Sequence, residues 1–173
     1  PEDAAAVAIV GTRRPTEPAR RAAGEMAQAL ARRGLTIVSG LALGIDRAAH
    51  EGALAAGGRT LAVLGSGIRR LHPSSHAELA ARIAGAGAVL SEWSPDAPPA
   101  PGRLAARNRV ISGLSRWVIV VESGLEGGSL RTAAFARRQG RHVAAAPGSP
   151  GAELLLAAGA ERLEWPAIDW DAL

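Results

Sequence analysis

Short runs of β-branched and aliphatic residues alternate with longer amphipathic segments along most of the chain, and this alternation constrains the fold most strongly. The longer segments repeat apolar residues every three or four positions, which is typical of helices that bury one face. Short apolar runs bounded by glycine are typical of strands that are buried on both sides. The predicted strands are 7–10, 35–38, 60–64, 88–90, 117–121 and 143–145, and the predicted helices are 19–33, 45–56, 75–84, 104–115 and 129–139.

Strands that alternate with helices pair in parallel, because each helix returns the chain to the end where the previous strand began. We therefore predict an α/β fold of the Rossmann-like class, with an open, mostly parallel sheet and helices on both faces. With 47% hydrophobic residues, residues 1–173 are expected to form one domain around one core. The proline-rich segment 92–102, EWSPDAPPAPG, is expected to be an extended arm over a sheet edge, because proline opposes helix and central strand.

Several classes of site are excluded by residues that the chain lacks. It has no cysteine, so disulfides, thiolate nucleophiles and cysteine-bound zinc are excluded. His72 and His76 lie near Glu78 but are separated by a turn, so we interpret this segment as a polar loop and expect no metal ion. No long apolar span or signal peptide is present, which predicts a cytoplasmic protein that does not contact a membrane.

Glycine-rich turns follow most of the predicted strands, at the edge where open α/β sheets bind ligands. Any one such turn needs glycine for its own geometry, but five at one edge favour an anionic ligand. A dinucleotide is disfavoured because Gly11 lacks the two further glycines of that motif, and the absence of lysine excludes a Walker lysine. We expect no cofactor. The turn residues predicted to bind phosphate are Gly11, Thr12, Ser39, Gly40, Gly44, Gly65, Gly67, Gly128, Ser129 and Thr132.

The segment Arg107-Asn108-Arg109 places charge in an otherwise apolar helix. At 100° per residue, Arg107 falls near the centre of the apolar stripe with Arg103 beside it, so both are expected to reach inward over the end of the sheet. Alternatively, Arg107 forms an ion pair with Glu92 or Glu122. Arg109 is predicted to point away, towards solvent or a partner.

Arginine supplies all 20 basic residues against 16 acidic ones, and the formal net charge is +4. Because this arginine content can reflect base composition of the genome, the count alone does not indicate a nucleic acid partner. Arg13 follows the first strand at the same edge as Arg103 and Arg107, and arginines over glycine-rich turns suit phosphodiester oxygens. Position therefore favours a phosphate-containing ligand.

Over residues 7–160, the sequence resembles the DprA/Smf family of DNA-processing proteins. The resemblance rests on many separate motifs that occur in the family's order and spacing. They are GTRRP, VSGLALGIDRAAHEGAL, GGRTLAVLGSGI, LSEW, ARNRVISGLS, VVES, GGSLRTA and GRHVAAAPG.

The resemblance implies a homodimer that binds single-stranded DNA without sequence preference, protects incoming strands in natural transformation and loads the RecA recombinase. It implies no catalysis. By position, Arg13, Arg107, Asn108 and Arg109 would contact the DNA backbone, whereas Asp46, as a helix cap, and His50 would be structural. The helical and winged-helix domains found in many family members are expected to be absent from this chain.

Three departures from the family pattern bear on binding. Leu104-Ala105-Ala106 stands where an aromatic residue and proline are usual, and His72-Pro73 replaces Tyr-Pro. Glu126-Gly127-Gly128-Ser129 replaces the usual Arg-Ser-Gly-Ser and so reverses a charge. With 3% aromatic residues, base stacking must be sparse, and Trp93 is the one well-placed candidate although core packing suits it better.

Two other functions remain open from the sequence. A phosphoribohydrolase of the LOG type would share the fold, but the glutamate of its glycine-rich motif is missing after Thr132, which leaves Glu122 and Glu126 as acids. A module that binds a free nucleotide and regulates a partner is the third hypothesis. The dimer interface is not determined, and the apolar face of residues 152–163 is either a candidate for it or a helix that closes the core.

Overall fold

A computed structural model describes residues 5–166 as a sheet flanked by helices. The strands are β1 Ala6–Val10, β2 Thr36–Ser39, β3 Thr60–Val63, β4 Ala88–Leu90, β5 Trp117–Val120, β6 His142–Ala145 and β7 Glu161–Arg162. The helices are α1 Glu17–Arg32, α2 Ile45–Ala55, α3 Ala77–Ala86, α4 Pro101–Gly113, α5 Gly128–Arg138 and α6 Pro150–Ala157, and a 3-10 helix, Ser74–His76, precedes α3.

The seven strands form one sheet in the order β4-β3-β2-β1-β5-β6-β7, and every neighbouring pair is parallel. The predicted α/β fold is therefore confirmed. The chain winds outward from β1 to β4, then crosses back over β1 to begin β5. This reversal opens a crevice at the carboxyl ends of β1 and β5, where doubly wound folds bind their ligands.

Alternation along the central strands builds a core on each face of the sheet. Val7 and Ile9 of β1 face α1 and α2, whereas Ala8 and Val10 face the layer that contains α4, α5 and α6. These four residues are buried, and strands buried on both faces require continuous apolar runs. The prediction of helices on both faces is therefore confirmed.

The first helix pair shows how closely the helices approach each other. Thr16 caps α1 by accepting a hydrogen bond from the Ala19 amide at 3.4 Å. Where α1 crosses α2, a Cβ on Gly52 would overlap the carbonyl oxygen of Gly24. The absence of a side chain at position 52 is therefore what allows the two backbones to meet.

Four predictions need correction: the start of the fourth helix, the end of the proline-rich arm, the helix considered for residues 152–163 and the polar loop at His76. The helix expected at 104–115 begins at Pro101, because proline is tolerated in the first turn of a helix, so the arm after β4 ends at residue 100. Residues 152–163 are not one helix, since α6 ends at Ala157 and the chain continues into β7. His76 does not lie in a polar loop but is buried, with Nδ1 donating to the Leu41 carbonyl at 2.9 Å.

Candidate nucleic-acid interface

A cavity of about 580 Å³ lies in the crevice at the carboxyl ends of β1 and β5. The turn after β1 forms one side, the start of α4 lies over it, and the glycine-rich turn that leads into α5 forms the other side. Of the residues predicted to bind phosphate, eight line this cavity. They are Gly11, Thr12, Arg13, Arg107, Asn108, Gly128, Ser129 and Thr132.

The amino-terminal end of α5 points into the cavity. Gly127 is the N-cap residue, and no side chain caps this helix. The first amides of a helix have no partner within the helix, and the helix dipole makes this end partly positive. Ser129 donates to the hydroxyl of Ser123 at 2.8 Å, which fixes the turn beneath the cavity. This end of α5 can therefore receive a phosphate group.

Three arginines on the cavity wall are exposed. Arg13 and Arg14 follow β1, and Arg131 lies in the first turn of α5. Among the described residues, no acidic side chain forms an ion pair with any of the three. Glu126 is the exposed acid on the same wall. The wall thus presents three cations and one anion to a ligand, so the charge reversal at Glu126 does not make it acidic.

Arg107 reaches inward from α4, as the apolar stripe predicts, and it is 5% exposed. Its Nη1 donates to the carbonyl oxygen of Gly40 at 2.6 Å and to that of Val63. A Cβ on Gly40 would overlap the guanidinium group, so glycine is required there by the arginine. These hydrogen bonds fasten α4 to the ends of β2 and β3.

The ion pairs considered for Arg107 are not formed. Glu92 accepts from Nη2 of Arg109 at 2.7 Å, and Glu122 accepts from the backbone amide and hydroxyl of Thr16. The charge that compensates Arg107 is Asp46, which is also buried.

Asp46 lies in the first turn of α2, at the base of the cavity. Its Oδ2 accepts from the amides of Gly40 and Ala42 at 3.1 and 3.3 Å. It therefore holds the turn after β2 instead of capping α2, which corrects the sequence interpretation. Burial raises the pKa of the Asp46 carboxyl, whereas the charge of Arg107 and the two amides act in the opposite direction. Burial also disfavours the charged form of Arg107, and it therefore lowers the pKa of the guanidinium group.

Asn108 connects α4 to α5. Its Oδ1 accepts from Nε of Arg107 at 3.2 Å and its amide nitrogen donates to the Gly128 carbonyl at 3.1 Å. The side-chain amide of Asn108 supplies both the acceptor and the donor that these two contacts require, which explains why a polar residue occupies this position.

The two remaining arginines of α4 do not line the cavity. Arg109 is exposed, as predicted, and pairs with Glu92. Arg103 does not reach inward as expected: it donates to the Pro98 carbonyl at 2.5 Å, and its guanidinium lies 5.3 Å from the centre of the Trp93 ring. The proline-rich arm supplies a carbonyl and an aromatic face beside the first turn of α4, and these draw Arg103 away from the sheet. Trp93 is partly buried there and is not on the cavity wall.

The other predicted turn residues support the cavity from behind. Ser39 donates to the Ile9 carbonyl at 2.7 Å, and Gly44 is the N-cap of α2, with a φ of 78°. Gly65 packs against Leu104, and Gly67 packs against the proline-rich arm, whose Ala97 carbonyl accepts from its amide at 2.8 Å. These glycines allow close packing between segments. Together with Gly40, Arg103 and Arg109, they do not line the cavity and are not placed to contact a ligand inside it.

Sequence reasoning missed Arg14 and Arg131 as wall residues and missed the position of Asp46 at the cavity base. The repeated arginine of GTRRP is a signal that could have identified Arg14. Arg131 stands three residues after Gly128, so one helical turn returns it to the side of the cavity.

Two buried histidines lie behind the cavity. Nδ1 of His50 is 2.7 Å from Oγ1 of Thr60, whose hydroxyl donates to the Ile37 carbonyl, so Nδ1 carries the imidazole proton. Within residues 5–166, Nε2 of His50 and Nε2 of His76 have no hydrogen-bond partner. Burial lowers the pKa of His50 to about 3, with contributions from Arg107 and His76. The structural role predicted for His50 agrees with this packing.

Over residues 5–166, no helix is long and apolar enough to cross a membrane. The same part of the chain contains no cluster of three or more histidine, aspartate or glutamate side chains suited to a metal ion.

The fold and the cavity define an open α/β protein with an arginine-lined pocket at the point where the strand order reverses. Comparison with known proteins is more specific. The profile of the family DNA recombination-mediator protein A matches residues 1–166, and the chain belongs to this family. The Smf protein of Escherichia coli is 47% identical over 85% of the chain, and the match covers 40% of that protein.

Two solved structures agree with this assignment. The DNA processing protein A (DprA) of Streptococcus pneumoniae is 39% identical, with a TM-score of 0.84, and the match covers 92% of this chain and 58% of that one. DprA of Helicobacter pylori, studied for its single-stranded DNA binding mode, is 34% identical, with a TM-score of 0.86 over 91% of this chain and 74% of that one. The chain therefore spans about 40% of the length of its E. coli relative.

Proposed function

We propose that this chain binds single-stranded DNA through its backbone phosphates, without reading the base sequence. The observation that carries the proposal is the pairing of an uncapped helix end with three exposed arginines around one cavity. Backbone amides at a helix start and planar guanidinium groups both match phosphate oxygens. The single-stranded DNA binding mode of the H. pylori relative supports the same ligand class.

The strand is held mainly by charge in this proposal. None of the described residues that line the cavity is aromatic, so base stacking contributes little in this proposal. Binding dominated by phosphate contacts releases counterions and weakens steeply as salt rises. The wall arginines Arg13, Arg14 and Arg131 carry this interaction, while Arg107 and Asn108 keep the wall in place.

An electrophoretic mobility shift assay tests the ligand class. We expect oligothymidine to be shifted at lower protein concentrations than a duplex of the same length, because a single strand can bend into the cavity. Equal or stronger binding of the duplex would contradict the proposal. Competition with AMP tests the third hypothesis, a module that binds a free nucleotide. Such a module would release the oligonucleotide at AMP concentrations close to its dissociation constant for DNA.

The wider role is proposed from the family. We infer that the protein acts in the cytoplasm as a homodimer that protects incoming strands and loads RecA recombinase onto them during transformation. Leu154 of α6 is 52% exposed and is the candidate contact between copies. Replacing Leu154 with glutamate is expected to halve the mass measured by light scattering, and an unchanged mass would exclude this face.

Loading is tested separately by following RecA filament formation on DNA that is already covered by a single-strand-binding protein. Addition of this protein should shorten the lag before RecA hydrolyses ATP. An unchanged lag would exclude the loading role for this chain.

A hydrolase of the LOG type has less support from the geometry. Its chemistry requires a carboxylate that is free to act on the substrate, and Asp46 at the cavity base is held by two amides and by Arg107. Glu122 is engaged by Thr16, and Glu126 is exposed at the wall. Release of free adenine from AMP by the purified protein would favour the enzyme instead.

A further inference from the structure

Two arginines lie side by side at the edge of the sheet opposite the cavity. Trp117 of β5 pairs in register with His142 of β6, so Arg116 and Arg141, which precede them, are neighbours at the amino ends of these strands. Adjacent parallel strands are about 4.8 Å apart, which brings two like charges close together. Both side chains are exposed, so the protein interior does not require them.

Little negative charge offsets this pair. Over residues 5–166, no acidic side chain forms an ion pair with Arg116 or Arg141. Nη2 of Arg141 donates a hydrogen bond to the Gly113 carbonyl oxygen at 3.0 Å. Oε1 of Glu161 lies 3.9 Å from Nδ1 of His142, and both of those side chains are about half exposed. Among the described residues, the two arginines therefore keep N–H donors that are available to a bound anion.

The surface between the two turns is concave. A cavity of about 440 Å³ is bounded by residues 113–116 and 140–142. The ring of His142 stacks on that of Trp117, with centroids 4.4 Å apart and planes at 18°. This stacking fixes one wall of the cavity and presents the edge of the imidazole beside the arginines. The two arginines therefore line one concave, polar site with a fixed wall and are not isolated charges on a flat surface.

The positive surface extends along the same edge. Arg32 and Arg33 end α1 immediately before β2, and both are exposed. Because β1 alone separates β2 from β5, the end of α1 that leads into β2 lies at the same edge of the sheet as Arg116 and Arg141. We call Arg116, Arg141, His142, Arg32 and Arg33 the amino-edge patch.

We propose that the amino-edge patch is a second binding surface for the phosphodiester backbone of single-stranded nucleic acid. The inference rests on the proposed function, because the same strand that enters the cavity would continue to this edge. Arginines spaced along a line match the regular spacing of backbone phosphates. Some of these arginines also complement helix carboxyl termini, but that role leaves most of their donors unused.

The experiment compares oligothymidines of about 6 and roughly 30 nucleotides, each carrying a fluorescent label, in titrations at several salt concentrations. The test variant is Arg116→Gln with Arg141→Gln. The control is Arg20→Gln with Arg47→Gln, which removes the same charge from arginines paired on α1 and α2. The cavity variant is Arg13→Gln with Arg131→Gln.

We expect the test variant to bind the long strand about tenfold more weakly than wild type, with a salt slope shallower by roughly 1.4 for two lost phosphate contacts. Its affinity for the short strand should match that of the control. Equal binding of the long strand by test and control variants would overturn the proposal. Failure of the wild type to bind either strand would overturn it together with the proposed function. If the cavity variant binds the long strand as tightly as wild type while the test variant binds it more weakly, the proposed cavity fails and this patch stands.

Discussion

Arg107 is the residue whose position most changes the meaning of the Arg-Asn-Arg motif. Its place on the apolar stripe of α4 predicts a phosphate ligand or an ion-paired side chain. The structure shows it fastening α4 to two strand ends through carbonyl oxygens, with Asp46 as the compensating charge. The motif thus lies over the cavity, and the exposed arginines of the neighbouring segments are the ones that we propose contact the ligand.

Replacement of Arg107 by leucine is expected to lower the free energy of unfolding by about 3–5 kcal/mol, because it leaves the Asp46 carboxylate buried without its partner. Urea denaturation monitored by circular dichroism measures this change. Arg109→Gln is the matched control and should cost less than about 1 kcal/mol, since the Arg109–Glu92 pair is half exposed. Adding Asp46→Asn to Arg107→Leu should recover part of the loss. Equal stability of Arg107→Leu and the control would refute this role.

His50 predicts a loss of stability in acid. Its pKa is about 3 in the folded protein against 6.5 in a free histidine, so the unfolded chain binds the extra proton between these values. Stability therefore falls as pH drops below 6.5, by at most about 1.4 kcal/mol per pH unit, and this contribution is flat above 6.5. Urea titrations at pH 7.5 and 5.5 should show a smaller difference for His50→Gln than for wild type. Identical differences would show that His50 does not govern this dependence.

At the scale of elements, the crossing of α1 and α2 depends on one glycine. Gly52→Ala is expected to destabilise the protein by roughly 1–3 kcal/mol, because the new methyl group overlaps the Gly24 carbonyl and forces the helices apart. Gly24→Ala is the paired control: its Cβ would lie 3.5 Å from the Ala48 carbonyl, an ordinary contact, and alanine favours helix. Thermal unfolding of both variants measures the contrast. A Gly52→Ala protein as stable as Gly24→Ala would contradict the packing described here.

The order of strands and helices could be predicted because hydrophobic periodicity is local. The alternation of Val7 and Ile9 with Ala8 already implied two covered faces. The start of α4 could not be placed, since Pro101 suits both a loop and a first helical turn. The direction of Arg103 also depends on distant groups, the Pro98 carbonyl and the Trp93 ring, which local pattern does not reveal.

The same limit applies to the site. Glycine-rich turns identified the edge of the sheet at which the cavity lies, because strand ends in a parallel sheet share one edge. Which turn residues face the cavity and which lie behind it depends on how turns pack together. Gly65 and Gly67 resemble Gly128 in sequence context, yet Leu104 and the proline-rich arm cover them. The final segment EWPAIDWDAL is predicted to be a short acidic tail that packs on the domain or contacts a partner, and its residues 167–173 lie outside the described residues.

At the scale of the whole molecule, charge is arranged on two opposite edges of one sheet. Arg13, Arg14 and Arg131 surround the cavity at the carboxyl edge, and the amino-edge patch lies at the other. With a net charge of only +4, the position of the arginines matters more than their number. A strand held at both edges would wrap around the domain, which suits protection of DNA without sequence preference.

The most direct test of the account is a titration of labelled oligothymidine with wild type and with Arg13→Gln combined with Arg131→Gln, at several salt concentrations. If these arginines contact phosphates in the cavity, the variant should bind more weakly, and its plot of log affinity against log salt should be shallower by roughly 1.4. The control variant Arg20→Gln with Arg47→Gln should keep the wild-type slope. Coincident lines for wild type and the cavity variant would contradict the claim that DNA occupies this cavity.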